Sequence, residues 1–184
     1  MQEDGGEMGM FDPTIYDNLK VVFEGEAYDL DAQGEFLITM REDLVNLADM
    51  SRSFSITFRH TGGACSAGFT LTSELLDFAG ELRGLRLAEE EPGVSLQLWI
   101  DMPAAYESYV QSQSDKLWAD WADSTVLELE RRTAYSWEQR LLQPEQDILR
   151  VTMQYKNKIN ESHVDQVGAV LAHFLSTVAA IAAK

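Results

Sequence analysis

Two runs of alternating apolar and polar residues, separated by a glycine pair, constrain the fold of this chain more than any other feature. Residues 53–60 read SFSITFRH and residues 64–71 read ACSAGFTL, so apolar residues recur at every second position. Because the side chains of a strand point alternately to opposite faces, both runs predict β-strands with one buried face. Gly62 and Gly63 suit the positive φ angles of a tight primed turn, and the sequence therefore predicts a hairpin.

The predicted hairpin register fixes the neighbours of the chain's only cysteine. With the glycine pair at the centre of the turn, Phe58 faces Ala67 and His60 faces Cys65. An imidazole beside a thiol can lower the thiol pKa, which makes Cys65 and His60 the candidate catalytic pair. The competing interpretation is structural, because a free cysteine usually packs as a small buried hydrophobe.

Apolar residues at helical spacing predict three helices. One covers residues 73–84, a weaker pattern covers 102–124, and a long C-terminal helix begins at a Ser162–Asp165 capping pair and continues almost to Lys184. The C-terminal pattern is the most regular of the three, because its apolar residues share one broad face of the helix.

Alternation predicts further strands outside the first hairpin. These strands cover residues 21–30, 35–40, 94–101, 125–142 and 147–158. Turns are predicted at 32–34 and at 143–145, whereas 41–53 fits a helical turn or an irregular crossing equally well. The sequence therefore predicts an α+β fold, in which an antiparallel sheet built from hairpins carries a mid-chain helix and a long C-terminal helix on one face.

The length of 184 residues predicts a single domain over 11–184, preceded by a flexible acidic leader over 1–10. A lone cysteine cannot form an internal disulfide, and the N-terminus lacks the basic start and apolar run of a signal peptide. The last apolar stretch is interrupted by His173, Ser176 and Thr177, so a buried helix is preferred over a membrane span. We therefore expect a cytoplasmic protein.

The charge balance limits the classes of partner. The chain has 31 acidic and 14 basic residues, for a net charge of -17. Such a surface repels nucleic acid and anionic membranes, so neither is expected as a partner. The expected partner is another protein with a basic surface.

Aromatic residues near the predicted helix at 102–124 are the candidate protein-binding site. The stretch KLWADWAD places two tryptophans among aspartates, and tryptophan is enriched at binding hot spots. The candidate binding residues are Tyr106, Tyr109, Trp118, Asp120, Trp121 and Asp123. The alternative is a lid, in which the rings cover the protein's own core.

A stripe of small side chains runs along the predicted C-terminal helix and consists of Gly168, Ala172, Ala179 and Ala183. Such a stripe allows another backbone to approach closely. The expected neighbour is the predicted helix over 73–84, and a second subunit in a homodimer is the alternative.

No metal or cofactor is expected. His163 and His173 do not converge on one side of the last helix. The stretch DLDAQG resembles the start of a calcium loop, but Gln33 and Met40 stand where oxygen ligands are needed. A phosphate-binding loop at Gly62 is excluded, because no lysine follows the glycines.

Three functions remain open at this point. The first is an acidic interaction module without catalytic activity; the element order and charge resemble bacterial immunity proteins in outline, a resemblance that assigns no residue roles. The second is a small-molecule enzyme or ligand-binding protein with a pocket between sheet and helices, using Cys65 and His60. The third is a structural subunit of a homo-oligomer.

Overall fold

A six-stranded antiparallel sheet forms the centre of the fold in the computed structural model, which describes residues 14–83, 92–138 and 141–184. The strands are β1 (Phe36–Val45), β2 (Arg52–His60), β3 (Ser66–Ser73), β4 (Ser95–Pro103), β5 (Thr125–Glu138) and β6 (Leu141–Tyr155). Their order across the sheet is β1-β2-β3-β4-β6-β5, so β1 and β5 are the edge strands. The predicted α+β architecture is confirmed.

The helices cover one face of this sheet. They are α1 (Ile15–Ala32), α2 (Leu75–Arg83), α3 (Glu107–Ser112), α4 (Ser114–Trp118) and α5 (Val167–Ala182), with 3-10 helices at Ala104–Tyr106 and Glu161–Gln166. Alternate residues of β2, Phe54, Ile56 and Phe58, are fully buried beneath α1 and α5. The intervening serine and threonine side chains lie on the opposite face, as expected for a sheet with one solvated side.

The predicted strand over 21–30 is wrong, because these residues belong to α1. Tyr16, Leu19, Phe23 and Ala27 are the buried residues of the helix, and they recur at helical spacing. Thr14 caps its N-terminus, since the Asp17 amide donates to Thr14 Oγ1 at 3.2 Å.

The regions on either side of the predicted turn at 32–34 also differ from the prediction. Gln33 is the C-cap of α1 and Gly34 has a φ of +83°, so this turn ends a helix rather than joining two strands. The following strand, β1, is longer than the predicted 35–40 and continues to Val45. The segment 41–53 contains the end of β1, one helical turn in which the Met50 amide donates to the Asn46 carbonyl at 2.7 Å, and the start of β2. Of the two alternatives for this segment, the helical turn is therefore found, between two strands.

The hairpin of β2 and β3 has the predicted register. Phe58 pairs with Ala67, and the His60 amide donates to the Cys65 carbonyl at 3.1 Å. The predicted primed turn is wrong, because neither Gly62 nor Gly63 has a positive φ. Gly63 is instead required by close packing: a Cβ there would lie 2.8 Å from the Cβ of Ala182 at the end of α5.

The predicted turn at 143–145 is wrong as well, since β5 ends at Glu138 and β6 begins at Leu141. Pro144 lies within β6, opposite Tyr135 and beside a register shift in β5. At this point β6 has no pairing with β4, so the proline removes no donor from an interior strand.

The C-terminal helix is found where predicted, with a different cap. Asn160, not Ser162, begins the helical segment: its side chain accepts from the Ser162 amide, and its own amide donates to His163 Nδ1. Glu161–Ala182 is long and apolar enough to cross a membrane by length and composition. In the fold, however, its apolar face, which includes Leu171 and Phe174, is buried against the sheet.

Candidate functional site

His60 and Cys65 lie opposite each other at the end of the β2–β3 hairpin. Cys65 is 1% exposed, and burial raises the pKa of its thiol to about 11, so the thiol is protonated at neutral pH. The imidazole packs edge-on against Phe36 at 5.2 Å between ring centroids, and its Nε2 lies 3.8 Å from Glu35 Oε1. A neutral, buried thiol favours the structural interpretation of this pair.

The segment carrying the candidate aromatic residues forms short helices, as predicted, and closes over the core. Trp121 is 3% exposed; it stacks on His173 at 4.8 Å between centroids and meets Phe174 edge-on. Trp118 is half-buried and lines a 160 Å³ cavity with Val110. The ring of Trp121 is therefore buried in contacts with the protein's own residues, as the lid alternative predicts.

Of the other candidate residues in this segment, the two tyrosines contact the C-terminal end of the chain and the two aspartates are exposed. The Tyr109 hydroxyl donates to the Ala180 carbonyl at 3.3 Å, and the Lys184 ammonium lies over the rings of both Tyr106 and Tyr109. Asp120 is exposed, with its Oδ2 atom 3.7 Å from His173 Nε2. Asp123 is also exposed. The two aspartates, rather than the rings, are thus open to solvent.

The small-residue stripe of α5 faces α1, not the helix over 73–84 that the sequence suggested. A Cβ at Gly168 would lie 2.6 Å from Glu26 Oε2 of α1. Ala172 and Ala179 line a 260 Å³ cavity between α5, the end of α1 and the start of β1. Ala183 is exposed at the end of the stripe. The protein's own first helix therefore occupies part of this face.

The histidines outside the hairpin have packing roles. His163 accepts the Asn160 amide at the start of the last helical segment, and His173 stacks on Trp121. Within residues 14–83, 92–138 and 141–184, no group of three or more histidine, cysteine, aspartate or glutamate side chains is arranged to hold a metal ion.

The open face of the sheet has an ordered polar cluster at its centre. The Arg150 guanidinium makes two hydrogen bonds of 2.6 Å to the Asp101 carboxylate and lies 4.4 Å from the centroid of the Trp99 ring. The indole lies over Gly68, which has no side chain to obstruct it. Within this cluster, the charges of Arg150 and Asp101 neutralise each other.

The sequence reasoning missed a surface along β1. In the part of the chain that the structure describes, twelve large apolar residues are exposed, and eight of them lie on the outer flank of α1, on β1 and in the turn that follows β1. We call this set the β1-edge surface; its members are Val21, Tyr28, Leu37, Met40, Leu44, Val45, Leu47 and Met50. Leu47, at the tip of the turn, is 81% exposed.

The β1-edge surface lies in an acidic environment. Residues 15–50 contain nine acidic and two basic residues. Both basic side chains are already paired: Lys20 with Asp43 at 2.7 Å, and Arg41 with Glu24. The region therefore combines exposed apolar side chains with an excess of carboxylates.

No protein-family model, curated protein or solved structure matches this chain.

Proposed function

We propose that this protein is a cytoplasmic interaction module without catalytic activity that binds another protein of basic character. The observation that carries the proposal is the β1-edge surface, where exposed apolar side chains are concentrated in an acidic environment. Large apolar side chains that are concentrated in one region of a protein surface often mark an interaction site. A net charge of -17 would speed association with a basic partner and disfavour acidic ones.

One concrete form of this function is inhibition. A protein that acts on an anionic substrate has a basic groove, and an acidic protein can occupy that groove in place of the substrate. The apolar side chains would then supply the buried contacts that hold the complex, since charge mainly contributes rate and selectivity.

Affinity capture from the native host tests the proposal. The expected result is one stoichiometric basic protein that the full chain retains and that high ionic strength releases. The control is an unrelated acidic protein of equal net charge, which separates specific binding from general attraction. If both baits retain the same basic proteins in the same amounts, the proposed function is overturned.

The 260 Å³ cavity between α1, β1 and α5 supports a second candidate, a ligand-binding protein. Gln33, Glu35 and Ser176 give its lining a polar side, and Phe36 and Leu175 give it an apolar side. The volume is slightly below the roughly 300–1,000 Å³ of typical ligand pockets. A thermal-shift screen with small polar metabolites would detect a ligand of that size by an increase in melting temperature.

A further inference from the structure

We infer that the free edge of β1 is the docking strand of this module, and that it accepts an extended apolar and basic segment of another protein as a seventh strand of the sheet. The inference rests on the proposed function and specifies its mode of binding. An edge strand presents unpaired amide and carbonyl groups, and adding a strand to such an edge is a common form of peptide recognition.

The free part of the edge is defined by the hydrogen bonds of β1. Among the residues that the structure describes, this ten-residue strand pairs with β2 alone. The Ile38 amide donates to Asp31 Oδ1 at 2.7 Å, so that end of the strand is already capped by α1. A register shift follows between Ile38 and Met40. The segment from Met40 to Val45 remains as a regular edge long enough to pair with an incoming strand.

The side chains of β1 on the open face of the sheet determine which side chains an incoming strand would carry. Directly opposed residues of paired strands share a face. Leu37, Met40, Glu42 and Leu44 lie opposite polar residues of β2 that are on the open side of the sheet. The three apolar side chains are 44%, 46% and 54% exposed. An incoming strand would therefore place apolar residues beside this row and a lysine or arginine beside Glu42.

The charges on the helix side of β1 are already balanced within the chain. Asp43 accepts from Lys20 at 2.7 Å, and Arg41 pairs with Glu24 of α1. On the helix side, an incoming strand therefore meets side chains that already form ion pairs with each other. On the open face, the carboxylate of Glu42 can pair with a basic side chain of the partner.

Charge favours a basic partner over a second copy of the chain. Residues 15–50 carry a net charge of -7, from nine acidic and two basic residues. A second copy docked edge to edge would bring the same excess of carboxylates to the same place, and like charges across a strand pair are destabilising. A basic segment instead neutralises the excess, which identifies the partner by its chemistry.

The test uses a labelled synthetic nonapeptide, Lys-Thr-Val-Thr-Lys-Thr-Val-Thr-Lys, titrated with the full chain and followed by fluorescence anisotropy. Its odd-numbered side chains share one face, so the central lysine can lie beside Glu42 and the two valines beside Met40 and Leu44. A second peptide has the same side chains but carries N-methyl groups on alternate amides, which block strand pairing without changing charge. We expect the methylated peptide to bind at least about tenfold more weakly, because it loses several backbone hydrogen bonds. We also expect amide hydrogen exchange of residues 40–45 to slow when the first peptide binds.

Met40 and Val126 provide matched variants, because each is an exposed apolar residue on the open face of an edge strand. Met40 is 46% exposed on β1 and Val126 is 49% exposed on β5, and lysine at either position changes the net charge equally. We expect Met40→Lys to weaken binding of the unmethylated peptide about five- to tenfold, and Val126→Lys to change it by less than about twofold. Circular dichroism establishes that both variants are folded.

Three results would overturn the inference, each in a distinguishable way. Equal binding of both peptides, with no effect of Met40→Lys, would place the basic ligand elsewhere and leave the proposed function standing. Failure of the wild-type chain to bind either peptide at low ionic strength would remove this inference, whereas the proposed function is overturned by the affinity capture. Dimerisation of the wild-type chain by light scattering, lost in Met40→Lys, would make a second copy the occupant of this edge.

Discussion

Replacing Gly68 with alanine tests the packing of the open sheet face. Gly68 lies in β3 between two neighbouring strands, opposite Thr57 and Trp99. A Cβ at this position would lie 2.5 Å from the Ile56 carbonyl oxygen and 2.5 Å from Cζ2 of the Trp99 ring. The carbonyl belongs to the backbone of β2, so relief requires the strands to separate as well as the indole to move.

Overpacking of this kind costs about 1–3 kcal/mol of unfolding free energy. At about 2 kcal/mol, a domain of this size loses about 4–8 °C in melting temperature. The displaced indole would also leave the Arg150 guanidinium, which now lies 4.4 Å from the ring centroid of Trp99. A change in the near-ultraviolet circular dichroism of the folded protein should therefore accompany the loss of stability.

Gly25→Ala is the matched control. Gly25 lies in the middle of α1, and a Cβ there would meet no atom within 4 Å outside the adjoining backbone of its own helix. Alanine is favoured over glycine in a helix, so this variant should be more stable than the wild type by up to about 1 kcal/mol. Urea unfolding of both variants gives the comparison. A Gly68→Ala protein as stable as the wild type would refute the packing argument.

The remaining predictions concern buried groups. Burial raises the pKa of Tyr16 from 10.0 to about 12 and that of Cys65 from 9.0 to about 11. The folded state thus holds these protons more tightly, and stability should persist below pH 9. It should then fall by about 2–3 kcal/mol per group, between about pH 9 and 11 for Cys65 and between about pH 10 and 12 for Tyr16. Iodoacetamide should not modify Cys65 in the folded protein at neutral pH. Trp121→Ala should cost about 3–5 kcal/mol, because it removes a buried aromatic ring. Asp77→Ala should cost about 1–3 kcal/mol, since it removes the carboxylate that accepts from Lys158 at 2.7 Å.

Each of these predictions has an outcome that contradicts it. A urea midpoint unchanged up to pH 12 would show that neither proton is held more tightly in the folded state. Rapid alkylation at neutral pH would show that the Cys65 thiol is accessible and ionised. A Trp121→Ala protein of wild-type stability would mean that the ring is dispensable to the core, and full stability of Asp77→Ala would mean that the ion pair contributes nothing measurable.

The buried face of the two strands β2 and β3 could be predicted from the sequence because their apolar and polar residues alternate regularly. Along β2 and β3 every second side chain is buried, so the alternation predicted the buried face, and placing the glycine pair at the centre of the turn predicted the Phe58–Ala67 pair. The conformation of the turn between these strands could not be predicted from the sequence. Gly63 is needed because Ala182, more than a hundred residues away in sequence, packs against it. Local rules for turns contain no information about such a contact.

The first helix shows how local propensity can mislead. Val21, Val22 and Phe23 favour strands, and they form the beginning of the misassigned segment. The helical pattern becomes visible only when the window starts at Tyr16, so that Leu19, Phe23 and Ala27 follow at helical spacing. Burial of that stripe against the sheet overrides the local preference of the valines.

The misassigned helix and the overlooked edge have one physical cause. If residues 21–30 were a strand in a hairpin with 35–40, that strand would cover the edge of β1 and pair with its outward amide and carbonyl groups. In the fold, α1 lies on the face of the sheet instead, held to β1 by ion pairs such as Lys20 with Asp43. The edge is therefore left without a neighbouring strand within the described chain. The edge beside Met40 can accept an added strand because residues 21–30 fold as part of α1 and not as the strand that would cover it.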